Sequence, residues 1–388
     1  MARVIMGVAA ALVCGLALGQ AAPAQAAASE TLRGYSIKTP ERYRVPPDSL
    51  PAGSGSSKRL CVDPSKPANP KAGRYATIAE AVAKASRDDI ITIEIGAVAE
   101  NLVLNKPLTL RGGSCEDGGL VNWPTEDKAP SQYSFTSDLV RPAILSRVDA
   151  PCLTIDTDGI VFLHGLRFST EGAGGAAQSC IVQRRGWMRI TDSIISAGRA
   201  PAAIEATGGN TRIEGNMILG GRAGITLGHA ASMVTEPVLI ENSTITRGGV
   251  GIQAGTSTDV SVTRNVITGM LRGGVEQTSG TMTLFGNYLS DNRGFGLSVA
   301  GGTATAIYNT ISGNRVGVEG SGGAFKNNLI ACNREGAGVP ADASNQVLYN
   351  PIPQTGWFSK KPDPEATAFC RDLQREYRGS LGALAAGG

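Results

Sequence analysis

The sequence predicts an all-β chain built as a right-handed parallel β-helix, a solenoid of about 22 residues per coil with a short N-terminal capping helix. Three observations predict it. A polar residue followed two positions later by an aliphatic one recurs along the second half of the chain. A small residue followed directly by an aliphatic one keeps the same period. Between them, short stretches such as Val260-Ser261-Val262 alternate at period 2 and are broken by Gly and Asn.

The chain opens with an export signal over residues 1–28. It has a basic start at Arg3, an apolar run from Val4 to Leu18, and small residues closing on Ala24-Gln25-Ala26. That run is too short to be read as a membrane span, and no later stretch is longer, so no membrane insertion is expected. Cys14 follows Val13, where lipid attachment would need a small residue. The expected destination is the periplasm or the outside of the cell.

Residues 29–74 form a segment rich in Pro, Gly and Ser that reads as an outer wrap or a mobile arm. The solenoid is expected over residues 75–340. It begins with Thr77-Ile78-Ala79-Glu80, a capping-box pattern that opens a helix to about Ser86 with Ile78, Val82 and Ala85 on one face. Such a helix would cover the unpaired edge of the first coil. The segments Ile91 to Ile95 and Leu102 to Gly112 read as that coil. Two stretches read as insertions that gather on one side: Gly113 to Pro151, carrying Trp123 and Tyr133, and Ser169 to Trp187, carrying Arg184 and Arg185.

The repeats follow. The first column is Ser193/Ile195, Asn216/Ile218, Ser243/Ile245, Asn265/Ile267, Asn287/Leu289, Asn309/Ile311 and Asn328/Ile330, with first members 23, 27, 22, 22, 22 and 19 residues apart by subtraction. The second is Ala203-Ile204, Gly224-Ile225, Gly251-Ile252, Gly274-Val275, Gly296-Leu297, Gly317-Val318 and Gly338-Val339. Two columns of one period mean one coil per repeat, each aliphatic buried against its equivalents above and below. Residues 341–388 read as a C-terminal capping tail, with weak helical character from Pro364 to Tyr377.

Composition narrows the function classes. The formal net charge is +3, and losing Arg3 with the signal leaves +2, so no global field directs the chain to nucleic acid. With 51 Gly and 41% hydrophobic residues, the chain can bury a core that turns punctuate constantly. Six cysteines remain after the signal: Cys61, Cys115, Cys152, Cys180, Cys332 and Cys370. An even number in an exported chain favours disulfides, and none sits in a CxxC pair. Cys152-Leu153 and Cys180-Ile181 occupy the second-column position of neighbouring coils, about 4.8 Å apart, which predicts a Cys152–Cys180 bond. Cys61–Cys115 and Cys332–Cys370 then tie down the two ends.

The opening Tyr75-Ala76-Thr77-Ile78-Ala79-Glu80-Ala81, the stretch Asn105-Lys106-Pro107-Leu108-Thr109-Leu110-Arg111-Gly112 and the repeats beyond it resemble the pectate-lyase-like superfamily. That group includes pectate lyases, pectin methylesterases and alginate epimerases. The resemblance covers residues 75–340 and implies a β-helix that takes carbohydrates, usually acidic, along an outer face. Its catalytic signatures do not carry over. The two histidines, His164 in Leu163-His164-Gly165 and His229 in Gly228-His229-Ala230, match no Asp-Pro-His-Asp run and read as turn or surface residues.

Among individual residues, the Asn column reads as structural, since a stacked amide bonds the coils on either side. Asp156 and Asp158 flank Thr157 and are the one carboxylate pair that suggests calcium; otherwise no cofactor is expected. The arginines stand out. Arg199, Arg222, Arg247, Arg272, Arg293, Arg315 and Arg334 recur once per coil, three to five residues before the second-column aliphatic. Stacked, they would line one edge over about 29 Å. Beyond those aliphatics runs a polar column, Glu205, Thr226, Gln253, Glu276, Ser298 and Glu319, whose acids offer partners such as Glu276 for Arg272 and Glu319 for Arg315.

A row of like charges calls for an anionic partner, and a carboxylated polymer would supply it. Three functions follow: binding an acidic polysaccharide along the arginines, a polysaccharide lyase or epimerase acting on a uronate polymer, or a structural role in the envelope. Arg247, Arg272 and Glu276, with Arg293 and Asp291 beside them, form the best catalytic cluster. The sequence leaves the oligomeric state open.

Overall fold

Aliphatic columns of one period leave water only by stacking coil on coil, and the chain does this. A computed structural model describes residues 58–115, 142–145, 150–170, 178–228, 236–320, 322–338, 344–350 and 363–381. Each coil crosses three faces in turn. The first holds strands such as Leu102–Leu104, Ala202–Ala206, Ala223–Leu227, Phe295–Val299 and Val316–Gly320. The second runs from Arg59–Val62 and Ile90–Ile93 to Thr303–Ile307 and Gly323–Lys326. Long strands, among them Leu153–His164, Ile181–Thr191, Val250–Thr263 and Gly273–Phe285, pass from first face to second, joining them into one seventeen-stranded sheet. The third face is an eleven-stranded sheet from Ala97–Ala99 to Gln346–Leu348. Pairing between named strands is parallel throughout, as expected of a β-helix.

Both aliphatic columns stand in register. Ile195, Ile218, Ile245, Ile267, Leu289, Ile311 and Ile330 pair in that order and are fully buried. Ile204, Ile225, Ile252, Val275, Leu297 and Val318 do the same on the first face, and Leu153 and Ile181 extend that column toward the N-terminus. Val339 lies outside the described residues. Each such side chain contributes about 1.5 to 3 kcal/mol by leaving water.

The glycines of the second column have a packing reason. A Cβ at Gly224 would lie 2.5 Å from Ile245 Cγ2 and 2.7 Å from the Gly251 carbonyl oxygen, so the first face and the third approach too closely there for a methyl group. Gly224→Ala is expected to cost about 1 to 3 kcal/mol, read as a lower thermal unfolding midpoint. An unchanged midpoint would show that the corner relaxes.

Turns between the second and third faces use a left-handed residue followed by a buried ladder residue, usually asparagine. Asn242, Arg264, Gly286, Tyr308 and Asn327 have φ of 50°, 55°, 65°, 57° and 54°. The next residues, Ser243, Asn265, Asn287, Asn309 and Asn328, are buried. Asn287 Nδ2 donates to the Val262 carbonyl at 2.8 Å and to Asn309 Oδ1 at 2.9 Å, while its Oδ1 accepts from Asn265 N at 2.9 Å. The asparagine column is therefore a structural ladder. A second ladder, which the period-based reading missed, runs between the third and first faces. Asn292 Nδ2 reaches Asn314 Oδ1 at 2.9 Å, Asn314 Nδ2 reaches Asn333 Oδ1 at 3.1 Å, and Asn333 Nδ2 reaches Asn350 Oδ1 at 2.8 Å.

The ends differ from expectation. Helix α1, Ile78–Lys84, forms where the capping pattern places it, with Thr77 Oγ1 accepting from Glu80 N at 3.2 Å. The Glu100 carboxylate satisfies the amides of Ile78 and Ala79 at 3.0 and 2.7 Å. It spans only seven residues; the main helix is α2, Pro364–Leu381, near the C-terminus. So the helical cap expected at the N-terminal end is the minor one. Strand Arg59–Val62 pairs in parallel with Ile90–Ile93, which extends the solenoid into residues 29–74.

In the stretch Ser169 to Trp187, residues 171–177 lie outside the described residues, and the part from Ile181 onward belongs to the coil. Ile181–Thr191 is a strand in register with Leu153–His164, because a β-bulge around Gln183 to Trp187 absorbs the residues that break the alternation. In the other stretch Ala143–Leu145 joins the third face. Trp123 and Tyr133 lie outside the described residues, as do residues 1–28.

All three disulfides pair as expected. Cys61–Cys115, Cys152–Cys180 and Cys332–Cys370 have Cα–Cα distances of 5.6, 4.9 and 5.8 Å. They point to an oxidising or extracellular environment. No helix among the described residues is long and apolar enough to cross a membrane.

Candidate functional site

The corner between third and first faces carries the arginines. Each coil leaves the third face through a left-handed residue: Gly220, Arg247, Gly269, Asp291, Gly313, Cys332 and Tyr349, with φ between 53° and 75°. In the later coils the ladder asparagine comes next, and the arginine after it, giving Asn292-Arg293, Asn314-Arg315 and Asn333-Arg334. Backbone bonds from Arg293 N to Met270 O (2.9 Å), Arg315 N to Asn292 O (3.3 Å) and Arg334 N to Asn314 O (2.9 Å) stack these turns.

Arg222 N and Arg272 N bond in the same way to Ala200 O (2.8 Å) and Gly249 O (2.7 Å). Arg247 sits at the left-handed position itself, and Arg199 lies in the equivalent turn of its coil. The seven thus share one corner, one per coil, though not one backbone position, because the turns differ in length. All seven are exposed.

Their electrostatics divide them. Arg315 is paired with Glu319 at 3.4 Å and Glu335 at 2.8 Å. Among the described residues, Arg199, Arg222, Arg247, Arg272, Arg293 and Arg334 have no ion pair. The polar column Glu205, Thr226, Gln253, Glu276, Ser298 and Glu319 is in register on the adjoining face. Glu276, however, accepts from Gln253 Nε2 of the preceding coil at 2.8 Å, which is the partner it takes in place of Arg272. Asp291 accepts from Gln374 Nε2 of α2 at 3.0 Å. Of the cluster, Arg247, Arg272, Arg293 and Asp291 share the corner and Glu276 stands on the adjoining first face, with both carboxylates hydrogen-bonded to side-chain amides.

A family model described as a right-handed β-helix region matches residues 153–316 and 202–352, which together span 153–352, or 200 of the 388 residues. The chain belongs to the right-handed β-helix family. Among curated proteins none matches it. Membership in the β-helix family assigns a fold, and the chemistry must come from the surface of the coils.

Elsewhere on this β-helix the other candidates are engaged. Asp156 is bonded by Arg185, and Asp158 by Arg87 at 2.9 Å, so each carboxylate turns to its own guanidinium. Arg87 holds the Asp158 carboxyl below its usual range, first through its hydrogen bond and then through its charge. Among the described residues no group of three or more His, Cys, Asp or Glu is placed to hold a metal ion. His164 Nδ1 is 2.8 Å from Thr191 Oγ1 and 3.5 Å from Asp192 Oδ2. His229 lies outside the described residues.

Proposed function

We propose that this β-helix protein is exported and binds an acidic polysaccharide along the arginine corner, in the periplasm or outside the cell. The observation that carries this reading is the run of exposed arginines, one per coil, of which only Arg315 has an acidic partner among the described residues. Coils stack about 4.8 Å apart, so the row offers a cation at each step to a polymer with one carboxylate per sugar. The balanced net charge makes this field local, which suits a linear anion better than a general polyanion surface. Three disulfides and the N-terminal sequence support export.

A lyase or epimerase is the second reading, favoured by Asp291 at the arginine corner and Glu276 on the face that adjoins it. It requires a base to remove the proton beside the uronate carboxylate and an arginine to neutralise that carboxylate. The test is to incubate the purified mature chain with pectate, alginate and other uronate polymers, following binding and the ultraviolet absorption of unsaturated product. Binding that weakens with salt and forms no product is the expected result. Product formation would move the assignment to a lyase, and no binding to any uronate polymer at low salt would remove the reading.

A further inference from the structure

The anchors of helix α2 climb one side of the solenoid. The ring of Phe369 packs on Tyr349 at 5.4 Å between centroids, Cys370 is bonded to Cys332, and Gln374 Nε2 donates to Asp291 Oδ1 at 3.0 Å. Tyr349, Cys332 and Asp291 all occupy the left-handed position of the arginine corner. Moving forward along the helix therefore moves backward through the coils. Ala366, Cys370 and Leu373, one stripe at helical spacing, are buried at 0%, 6% and 3% exposure. In the same coils the outward-pointing Tyr288, Ser290, Thr310, Ser312, Leu329 and Ala331 of the third face are buried as well.

The seat of the helix and the arginines belong to the same turns. Arg293, Arg315 and Arg334 come two residues after Asp291, Gly313 and Cys332. A Cβ at Gly313 would lie 3.1 Å from Gln374 Nε2, so the helix also lies against the intervening turn. From Gln374 to Leu381 the helix continues for seven residues, about 10 Å of rise, which is about two more coils. Along that line the next left-handed positions are Gly269 and Arg247.

We propose that α2 is one wall of the arginine site, held by the Cys332–Cys370 bond and the Gln374–Asp291 hydrogen bond, and that affinity for an acidic polymer depends on its being docked. This rests on the arginine-corner reading above. An open row of exposed guanidinium groups is strongly screened by water and salt. A wall beside it removes water from one side of each arginine and limits the conformations its side chain samples, so the same contacts bind more tightly.

The test uses the full mature chain with polygalacturonate and alginate as probes, their dissociation constants measured at low salt. Two variants release the wall by different means. Cys332→Ser with Cys370→Ser removes the covalent anchor, and Gln374→Glu sets a like charge against Asp291 while leaving the disulfide intact. Cys152→Ser with Cys180→Ser removes a disulfide between two first-face coils and serves as the control. Both wall variants should weaken binding about three- to tenfold and speed hydrogen exchange across residues 364–381, while the control lowers the melting temperature and leaves the dissociation constant unchanged. Wall variants that release the helix yet bind like the parent overturn the proposal, as does a control that weakens binding equally. A parent chain that binds neither polymer removes the arginine-corner reading itself and this inference with it, an outcome visible before any variant is made.

Discussion

Asn287→Ala is expected to lower the unfolding free energy by about 2 to 5 kcal/mol, although it deletes only an amide. That side chain serves three coils. Its Oδ1 accepts from Asn265 N at 2.9 Å, and its Nδ2 donates to the Val262 carbonyl at 2.8 Å and Asn309 Oδ1 at 2.9 Å. Alanine leaves the Asn265 amide and the Val262 carbonyl buried without these partners, and each such loss costs about 1 to 3 kcal/mol. Gln253→Ala provides the contrast, because Gln253 is partly exposed and its hydrogen bond to Glu276 lies on the outer surface. Its expected effect is within about 0.5 kcal/mol. Denaturant unfolding followed by strand signal measures both. Equal effects would mean that the ladder carries no special share of stability.

The second large effect concerns binding. Replacing Arg222, Arg247 and Arg293 together with Ala should weaken affinity for an acidic polysaccharide about a hundredfold at low salt, from roughly 1 kcal/mol per exposed contact. The salt dependence should flatten, since fewer charges remain to be screened. Folding should hold or improve slightly, because the three side chains are exposed, outside the aliphatic columns, and have no ion pair among the described residues. Arg315→Ala alone should do much less, as Glu319 and Glu335 already neutralise it. A triple variant that binds like the parent would leave the corner without a role in recognition.

Much of this was legible in the sequence, for physical reasons that also explain the gaps. Ile245, Ile267 and Ile311 show their stacking because core positions tolerate little but an aliphatic of similar volume. Gly224 and its equivalents show theirs because a methyl group has no room. Once that register was known, Cys152 and Cys180 had to be neighbours across two coils, and they are. The second ladder of Asn292, Asn314, Asn333 and Asn350 escaped notice because Met270 and Gly248 take its place in earlier coils. The arginines were legible as a row but not in their turn positions, since turns of unequal length place Arg247 at the left-handed residue and Arg293 two residues beyond its equivalent, Asp291.

The least legible features depend on tertiary contacts between distant segments. The stripe Ala366, Cys370 and Leu373 says that α2 buries one face, and nothing in its spacing says which surface receives it. Only the anchors on Tyr349, Cys332 and Asp291 place it beside the arginines. Likewise, Glu276 stood at the right spacing for Arg272, yet Gln253 on the coil before offered a closer partner.

Arginine footprinting tests the central claim most directly. The mature chain is treated with an arginine-selective dicarbonyl reagent, with and without polygalacturonate or alginate, and the modified residues are read by mass spectrometry. The account predicts that Arg199, Arg222, Arg247, Arg272, Arg293 and Arg334 react in the free chain and are protected together by polymer, while Arg74 and Arg87 on other parts of the coils keep their reactivity. Protection that is absent, or that falls on Arg74 and Arg87 instead of the corner, would contradict it.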